Sequence, residues 1–197
     1  MLVIVGERSD NREMRGWLLA SLQAAILGAC SFDLEIEPTD AAPPAVDAPL
    51  VCDPAFTVVL AGSGSKYQLI GNEITWRNAE ATCEQRGAHL FVPTTNAEVT
   101  AMRALLDDTH VWVGLAQMPG ATPVGAGWLL VTGGPHTVDW GTGKPDDNGG
   151  GGENGDEQAG SMSDAGLDDD DHRGTKPYIC ECDGAAVDAS VVAMLPP

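Results

Sequence analysis

The chain has 197 residues, with 10 Lys and Arg against 29 Asp and Glu, so its formal net charge is −19. This balance excludes a nucleic-acid-binding protein and a protein that attaches to membranes through a polybasic surface, because both need a basic footprint. Hydrophobic residues make up 43% of the chain, which is enough to bury a core. The length allows one domain with extra segments or two very small domains.

Near the N-terminus, an apolar stretch over residues 17–29 follows Arg12 and Arg15. The stretch is too short to span a bilayer as a helix, and it has the length of the hydrophobic region of a signal peptide. We therefore expect a signal peptide over residues 1–29, with Met14 as an alternative start.

The last three residues of the signal peptide and the residue that follows it are Leu27-Gly28-Ala29-Cys30, which resembles the lipobox of bacterial lipoproteins. The resemblance implies that Cys30 is lipidated and that the protein is exported and anchored to the outer membrane or cell surface. The alternative is a secreted protein in which Cys30 follows the apolar stretch by chance. After Cys30 the chain is acidic, rich in Pro and Ala and without periodicity, which predicts an extended tether over residues 30–51.

The chain has five cysteines, namely Cys30, Cys52, Cys83, Cys180 and Cys182. If Cys30 carries lipid, the four that remain suit two disulfides in an oxidising compartment, with three possible connectivities. A structural zinc site is disfavoured, because the chain has no C-x-x-C and its four histidines lack ligand spacing.

In the folded part, residues 56–70 contain two β-rich runs around a Gly/Ser turn, which predicts a hairpin. Residues 75–87 predict a helix, because Trp76, Ala79 and Cys83 have helical spacing. A second helix is predicted over residues 96–106. Four apolar side chains are expected on one face of that helix: Val99, Met102, Leu105 and Leu106.

Short strands are predicted over residues 111–115, 128–131 and 178–181. Residues 140–173 show little sign of regular structure, and so long a loop inside a compact domain is usually functional. The tail over residues 184–197 is too short to form a domain, and we expect it to be flexible.

The acidic residues are concentrated between residues 139 and 171. This stretch holds 11 acids and one base, Lys144, so it carries about half of the excess negative charge. Crowded carboxylates repel one another, and a hard cation relieves that repulsion by taking them as oxygen ligands. A run of charge is more often a solvated loop, so composition leaves both interpretations open.

Several short motifs follow one another along the chain. They are Trp76-x-x-Ala79-x-x-x-Cys83, Gly87-x-His89-Leu90, Asn96-Ala97-Glu98, Trp112-Val113-Gly114-Leu115, Gly127-Trp128, Thr132-Gly133-Gly134, Trp140, Lys144-Pro145-Asp146 and Tyr178-Ile179-Cys180-Glu181. Their order and spacing resemble the C-type lectin-like domain over residues 52–183. The resemblance implies an α+β fold in which two helices flank small antiparallel sheets and a long irregular loop region projects from one end.

The resemblance also implies that Cys83 pairs with Cys180, which leaves Cys52 and Cys182 to pair at the two ends of the domain. The second internal disulfide of the family is absent, because Ala159 and His172 stand at its positions. Trp112, Trp128 and Trp140 are expected to be core residues and not platforms on which a sugar stacks.

In sugar-binding members of the family, the long loop holds Ca²⁺ through a triplet centred on a cis proline, a following Glu and an Asn-Asp pair. The metal and its ligands then share two sugar hydroxyls. By position, the implied metal ligands in this chain are Asp146, Glu157, Asp168 and Asp169. The implied ligand-binding set is Lys144, Asp146, Glu157 and Asp168.

Two residues depart from the family pattern. Lys144 stands where the first oxygen ligand belongs, and an ammonium group has three donors and no acceptor. We expect Lys144 to turn outward or to pair with Asp146. Leu167 replaces a Trp that mainly packs. An auxiliary calcium site is not predicted, because Gln117 and Ala121 are not acidic. An EF-hand over residues 146–157 lacks its flanking helices.

The predicted function is calcium-dependent carbohydrate recognition by an exported binding protein. The alternative is a lectin-like scaffold that binds a protein and has a degenerate or purely structural calcium site. We expect no nucleic-acid partner, membrane contact only through a lipid anchor, and no enzymatic activity, because no nucleophile elbow, H-E-x-x-H, P-loop or dinucleotide motif is present.

Overall fold

The structure is a computed structural model, and it describes residues 51–148 and 157–196. The predicted signal peptide, the lipidation at Cys30 and the tether up to residue 50 lie outside the described residues. Within the described ranges, no helix has the length and apolar character needed to cross a membrane.

Strands and short helices alternate along the described chain. In order they are β1 (Lys66–Ile74), α1 (Trp76–Glu84), β2 (His89–Leu90), α2 (Asn96–Arg103), β3 (Val111–Gln117), β4 (Trp128–Leu130), β5 (Ala159–Ser163), β6 (Gly166–Asp170), β7 (Lys176–Cys182) and α3 (Ala189–Val192). The helices at residues 75–87 and 96–106 and the strands near residues 111, 128 and 178 were expected from the sequence, with ends that differ by a few residues.

The strands form one mixed sheet in the order β1-β7-β3-β5-β6, to which β2 adds on β7 and β4 adds on β3. All pairings are antiparallel except β3 with β7, which run parallel at Trp112 and Tyr178. Together with the helices, this sheet confirms the expected α+β architecture.

Both expected disulfides are present. Cys83 of α1 pairs with Cys180 of β7, and Cys52 pairs with Cys182 at the end of β7. The first bridge ties a helix to the sheet, and the second joins the two ends of the domain.

Close backbone approach shapes the centre of the sheet. A Cβ atom on Gly114 of β3 would lie 2.7 Å from the Leu90 carbonyl oxygen and 2.6 Å from Val131 Cγ2, so only glycine fits there. Trp112 and Trp128 are buried, as expected of core residues. Trp140 is half-buried and packs edge-on against Trp128, with ring centroids 4.8 Å apart.

The expectation of little regular structure over residues 140–173 was wrong, because β5 and β6 form a hairpin there. Met162 pairs with Leu167, and Gly160 pairs with Asp169, so the acidic run is part of a strand. The second run of the predicted hairpin over residues 56–70 forms the start of β1, but the first run is reduced to a single bridge between Val58 and Tyr67 of β1.

Two predictions of exposure also need correction. Leu105 was expected on the buried face of α2, but α2 ends at Arg103 and Leu105 is 45% exposed. Leu106, which also follows the helix, is buried with 2% exposure. The C-terminal tail does not fray after Gly184. It forms α3, and Val191 and Leu195 insert into the core with 2% and 1% exposure.

Candidate functional site

The long loop, which runs from the end of β4 to the start of β5, meets the sheet beside β6. The backbone N–H of Gly141 donates to the Leu167 carbonyl oxygen at 2.8 Å, and the Lys144 N–H donates back to the Gly141 oxygen at 3.0 Å. The Lys144–Pro145 peptide bond that follows is cis. This turn places Asp146 next to the acids of β6.

Three carboxylates converge at this point. One side-chain oxygen from each of Asp146, Asp168 and Asp169 lies within 4.8 Å of the other two. Asp146 comes from the loop and the other two come from β6. We call these three residues the carboxylate cluster.

Asp169 is the fixed member of the carboxylate cluster. It is 2% exposed, and its two oxygens accept hydrogen bonds from the backbone N–H groups of Asp146 at 2.9 Å and Asp147 at 2.7 Å. Burial raises the pKa of Asp169, although these hydrogen bonds oppose the rise. The loop and the strand are thus joined through one carboxylate that still has lone pairs to offer.

Asp147 is a residue that the sequence analysis did not single out. It has a positive φ of 48°, a conformation that Asp tolerates better than most side chains. Its Oδ1 lies 3.4 Å from the backbone nitrogen of Glu157, so it links the two described ends of the long loop. An Asp after the Lys-Pro-Asp triplet was the only signal in the sequence for this turn.

Glu157 is buried next to the carboxylate cluster but is not one of its three members. It is 8% exposed, and its Oε2 has no hydrogen-bond partner among the described residues. Burial raises its pKa to about 7, and the negative charge of Asp169 adds to the rise. A buried carboxylate oxygen without a donor is costly, and a cation would relieve that cost.

Lys144 faces the carboxylate cluster and does not turn outward. Its Nζ lies 2.9 Å from Asp146 Oδ1 and 3.0 Å from Asp168 Oδ1. Burial by itself would lower the pKa of Lys144, but the hydrogen bonds and charges of these two carboxylates raise it above its ordinary value. The ammonium group therefore stays charged over the physiological range.

The next acid of β6 belongs to a separate set of contacts. Asp170 Oδ2 lies 2.8 Å from Lys176 Nζ and accepts a hydrogen bond from the Ser161 hydroxyl at 3.0 Å. Lys176 also lies over the ring of Trp112, with Nζ 5.0 Å from the ring centroid. Of the three acids of β6, Asp168 and Asp169 therefore belong to the carboxylate cluster, whereas Asp170 pairs with Lys176 of β7.

The donor set of the carboxylate cluster fits a hard divalent cation. All donors are carboxylate oxygens, which are the ligands that Ca²⁺ prefers. The buried Glu157 carboxyl group, whose Oε2 has no partner among the described residues, is close enough to Asp169 for the charge of Asp169 to raise its pKa. Among the described residues, Lys144 is the one group at the cluster that opposes a metal.

Comparisons with known proteins agree on the fold. The family model described as "Lectin C-type domain" matches residues 72–182. The human scavenger receptor C-type lectin carbohydrate-recognition domain superposes with a TM-score of 0.56 and 23% identity, covering 68% of this chain and 99% of that chain. No curated protein sequence matches this chain significantly.

Two further solved structures have the same fold. A calcium-independent type II antifreeze protein superposes with a TM-score of 0.53 and 24% identity, covering 67% of this chain and 94% of that chain. An SPL-1 complex with GlcNAc superposes with a TM-score of 0.53 and 18% identity, covering 66% of this chain and 93% of that chain. At these identities the likeness concerns the fold alone.

Proposed function

Since the chain belongs to the family of C-type lectin domains, we propose that it is a binding protein whose long loop recognises carbohydrate with the help of Ca²⁺. The observation that carries this proposal is the convergence of Asp146, Asp168 and Asp169 beside a cis Lys144–Pro145 bond. Two of the solved structures above are described as a carbohydrate-recognition domain and as a complex with GlcNAc.

The residues that would hold Ca²⁺ are Asp146, Asp168 and Asp169, with Glu157 beside them. Bound Ca²⁺ would supply a Lewis acid with coordination positions open to sugar hydroxyls. The chain itself supplies acceptors, because each carboxylate has lone pairs left for a hydroxyl donor. Asp169 is held by two backbone N–H groups, so the site is preorganised on the sheet and needs little ordering when a sugar binds.

Calorimetric titration of CaCl₂ into the full chain tests this proposal. Wild type is expected to release or absorb heat with a single site, and Asp168→Ala and Glu157→Ala are expected to weaken that binding at least tenfold. Glu84→Ala is the matched control, because Glu84 is an exposed acid of α1 and lies outside the carboxylate cluster. The absence of heat in wild type, or equal affinities in all four proteins, would contradict the calcium site.

A glycan array with and without chelator then tests sugar recognition. We expect binding to a defined set of glycans that disappears in EDTA. Sugar binding that survives EDTA would contradict the calcium dependence while leaving carbohydrate as the ligand.

The second candidate function is a scaffold that binds a protein without sugar or metal. The observation in its favour is the pair of ion contacts between Lys144 and the carboxylates of Asp146 and Asp168. The calcium-independent antifreeze protein is an example of this fold described as working without the metal. A glycan array without signal under both conditions, with the protein folded, would favour this candidate.

We also propose that the protein is exported and held at a membrane surface by lipid on Cys30, ahead of a tether that ends near residue 51. Two disulfides support an oxidising compartment. Phase partitioning of detergent extracts tests the anchor. Wild type is expected in the detergent phase and Cys30→Ala in the aqueous phase, and identical partitioning would contradict lipidation.

A further inference from the structure

We propose that the Lys144 ammonium is the resident cation of the carboxylate cluster, and that a divalent metal binds there by displacing it. This inference rests on the proposed calcium dependence and adds a step to it. It concerns the residue in which the chain departs from the pattern of calcium-binding members.

The contacts of Nζ carry the inference. Nζ lies 2.9 Å from Asp146 Oδ1 and 3.0 Å from Asp168 Oδ1, so it occupies the space between two of the three carboxylates. An ammonium group has no lone pair and cannot be a metal ligand. Its charge also repels a divalent cation at short distance. The Oδ1 lone pairs that Nζ occupies are therefore open to a metal only after the ammonium moves away.

The side chain of Lys144 is free to move away from the carboxylate cluster. Its backbone is held by the hydrogen bond to Gly141, but its side chain is 31% exposed and has a flexible four-carbon stem. The ion pairs are therefore partly solvated and exchangeable. Displacement needs rotation of one side chain and no movement of β6.

A second place for the ammonium lies next to the cluster. Lys144 and Asp168 border a depression of about 280 Å³ that is also lined by His110, Asp108 and Asp164. A hydrogen bond and repulsion between the carboxyl groups of Asp108 and Asp164 raise the pKa of Asp108. An ammonium that moves into this depression would be attracted by that pair.

The exchange affects both the stability of the metal-free protein and its affinity for the metal. Without metal, Lys144 neutralises part of the repulsion among the three carboxylates and so stabilises the turn that carries Asp146 against β6. When the metal is bound, it neutralises the carboxylates in place of Lys144. The affinity for the metal is lowered, because the two ion pairs of Lys144 must first be broken. A variant without the ammonium should therefore lose stability without metal and gain affinity for it.

The test uses Lys144→Met, which keeps much of the apolar stem, and Lys144→Gln, which supplies an oxygen. Both are studied by calorimetric titration with CaCl₂ and by thermal unfolding in EDTA and in saturating CaCl₂. We expect both variants to bind Ca²⁺ at least tenfold more tightly than wild type. We also expect both to have a lower Tm than wild type in EDTA, and saturating Ca²⁺ to close that gap.

Lys176→Met is the matched control, because Lys176 pairs with Asp170 and not with the carboxylate cluster. Its affinity for Ca²⁺ should equal that of wild type. Equal affinities in wild type and both Lys144 variants, with binding intact, would overturn the exchange alone. A loss of Tm that Ca²⁺ does not restore would make Lys144 a structural residue and would also overturn it. No calcium binding in any of these proteins would overturn the proposed calcium dependence together with the exchange.

Discussion

Replacement of Leu195 by Ala tests whether the C-terminal tail is part of the core. Leu195 is 1% exposed in the same cluster as Trp76, Val131 and Val191. The substitution removes three carbon atoms, worth about 2.4 kcal/mol in transfer free energy, and leaves a cavity that adds to the cost. We expect the free energy of unfolding to fall by about 3 kcal/mol. The hydrogen bond from Arg77 to the Leu195 backbone oxygen is kept, so the loss reports the side chain.

Thermal unfolding of the full chain measures this loss. For a protein of this size 1 kcal/mol corresponds to about 2–4 °C, so Tm should fall by about 6–12 °C. Leu105→Ala is the matched control, because the same atoms are removed from a side chain that is 45% exposed, and it should cost less than about 1 kcal/mol. If the two variants have the same Tm, the tail does not contribute to the core and the reasoning is refuted.

Two more predictions concern the pH dependence of stability and the packing of the sheet. Burial raises the pKa of Glu80 to about 7, so the folded state retains a proton that the unfolded chain releases near pH 4.5. The free energy of unfolding in urea should therefore fall between pH 5 and pH 8. Glu80→Gln should reduce that fall by up to about 3 kcal/mol, whereas Glu73→Gln, at an exposed residue of β1, should not, and equal slopes in all three proteins would contradict the assignment. Gly160→Ala would place a Cβ 2.5 Å from Leu115 Cβ and should lower stability by about 1–3 kcal/mol in thermal unfolding, with Gly64→Ala, which meets nothing within 4 Å, as control. Equal Tm values for these two would show that β5 shifts without cost.

The helices and the disulfides were accessible from the sequence because their signals are local or tied to a recognisable pattern. Trp76, Ala79 and Cys83 have helical spacing and are all buried in α1. The pairing of Cys83 with Cys180 came from the resemblance to the family, because the number of cysteines alone allowed three connectivities.

The β5–β6 hairpin was not accessible, because its residues lack strand character. Ala159–Ser163 is rich in small residues, and Gly166–Asp170 is rich in Asp, both of which are poor strand formers. These segments become strands because β3 offers an edge onto which small residues such as Gly160 fit closely. These strands are therefore stabilised by packing in the sheet and not by the local preference of their own residues.

The tail did carry a signal that was overlooked. Val191 and Leu195 are four residues apart, and Asp188 stands where a helix cap belongs. In the structure, the Asp188 carboxylate accepts the hydrogen bond from Ser190 N–H at 2.9 Å. A helix this short gains its stability from packing, which sequence spacing alone does not reveal.

The residues of the site could be predicted from the sequence, but the contacts among them could not. The sequence left Lys144 either turned outward or paired with Asp146. The contact with Asp168 depends on the register of β6 against β5, in which Ser161 pairs with Asp168. Because that strand was not predicted, the second ion pair could not be predicted either.

The bridge between Cys52 and Cys182 also decides how the domain carries mechanical load. A pull on the chain ahead of Cys52 would otherwise reach β1 first, an edge strand whose bonds to β7 could open one after another from the Lys66 end. The bridge passes the force to the end of β7 instead, and β7 is held on both sides by neighbours and to α1 by Cys83–Cys180. The force then acts on many bonds in parallel. A domain pulled from its N-terminal side should therefore resist unfolding, and reduction of the bridge should lower that resistance.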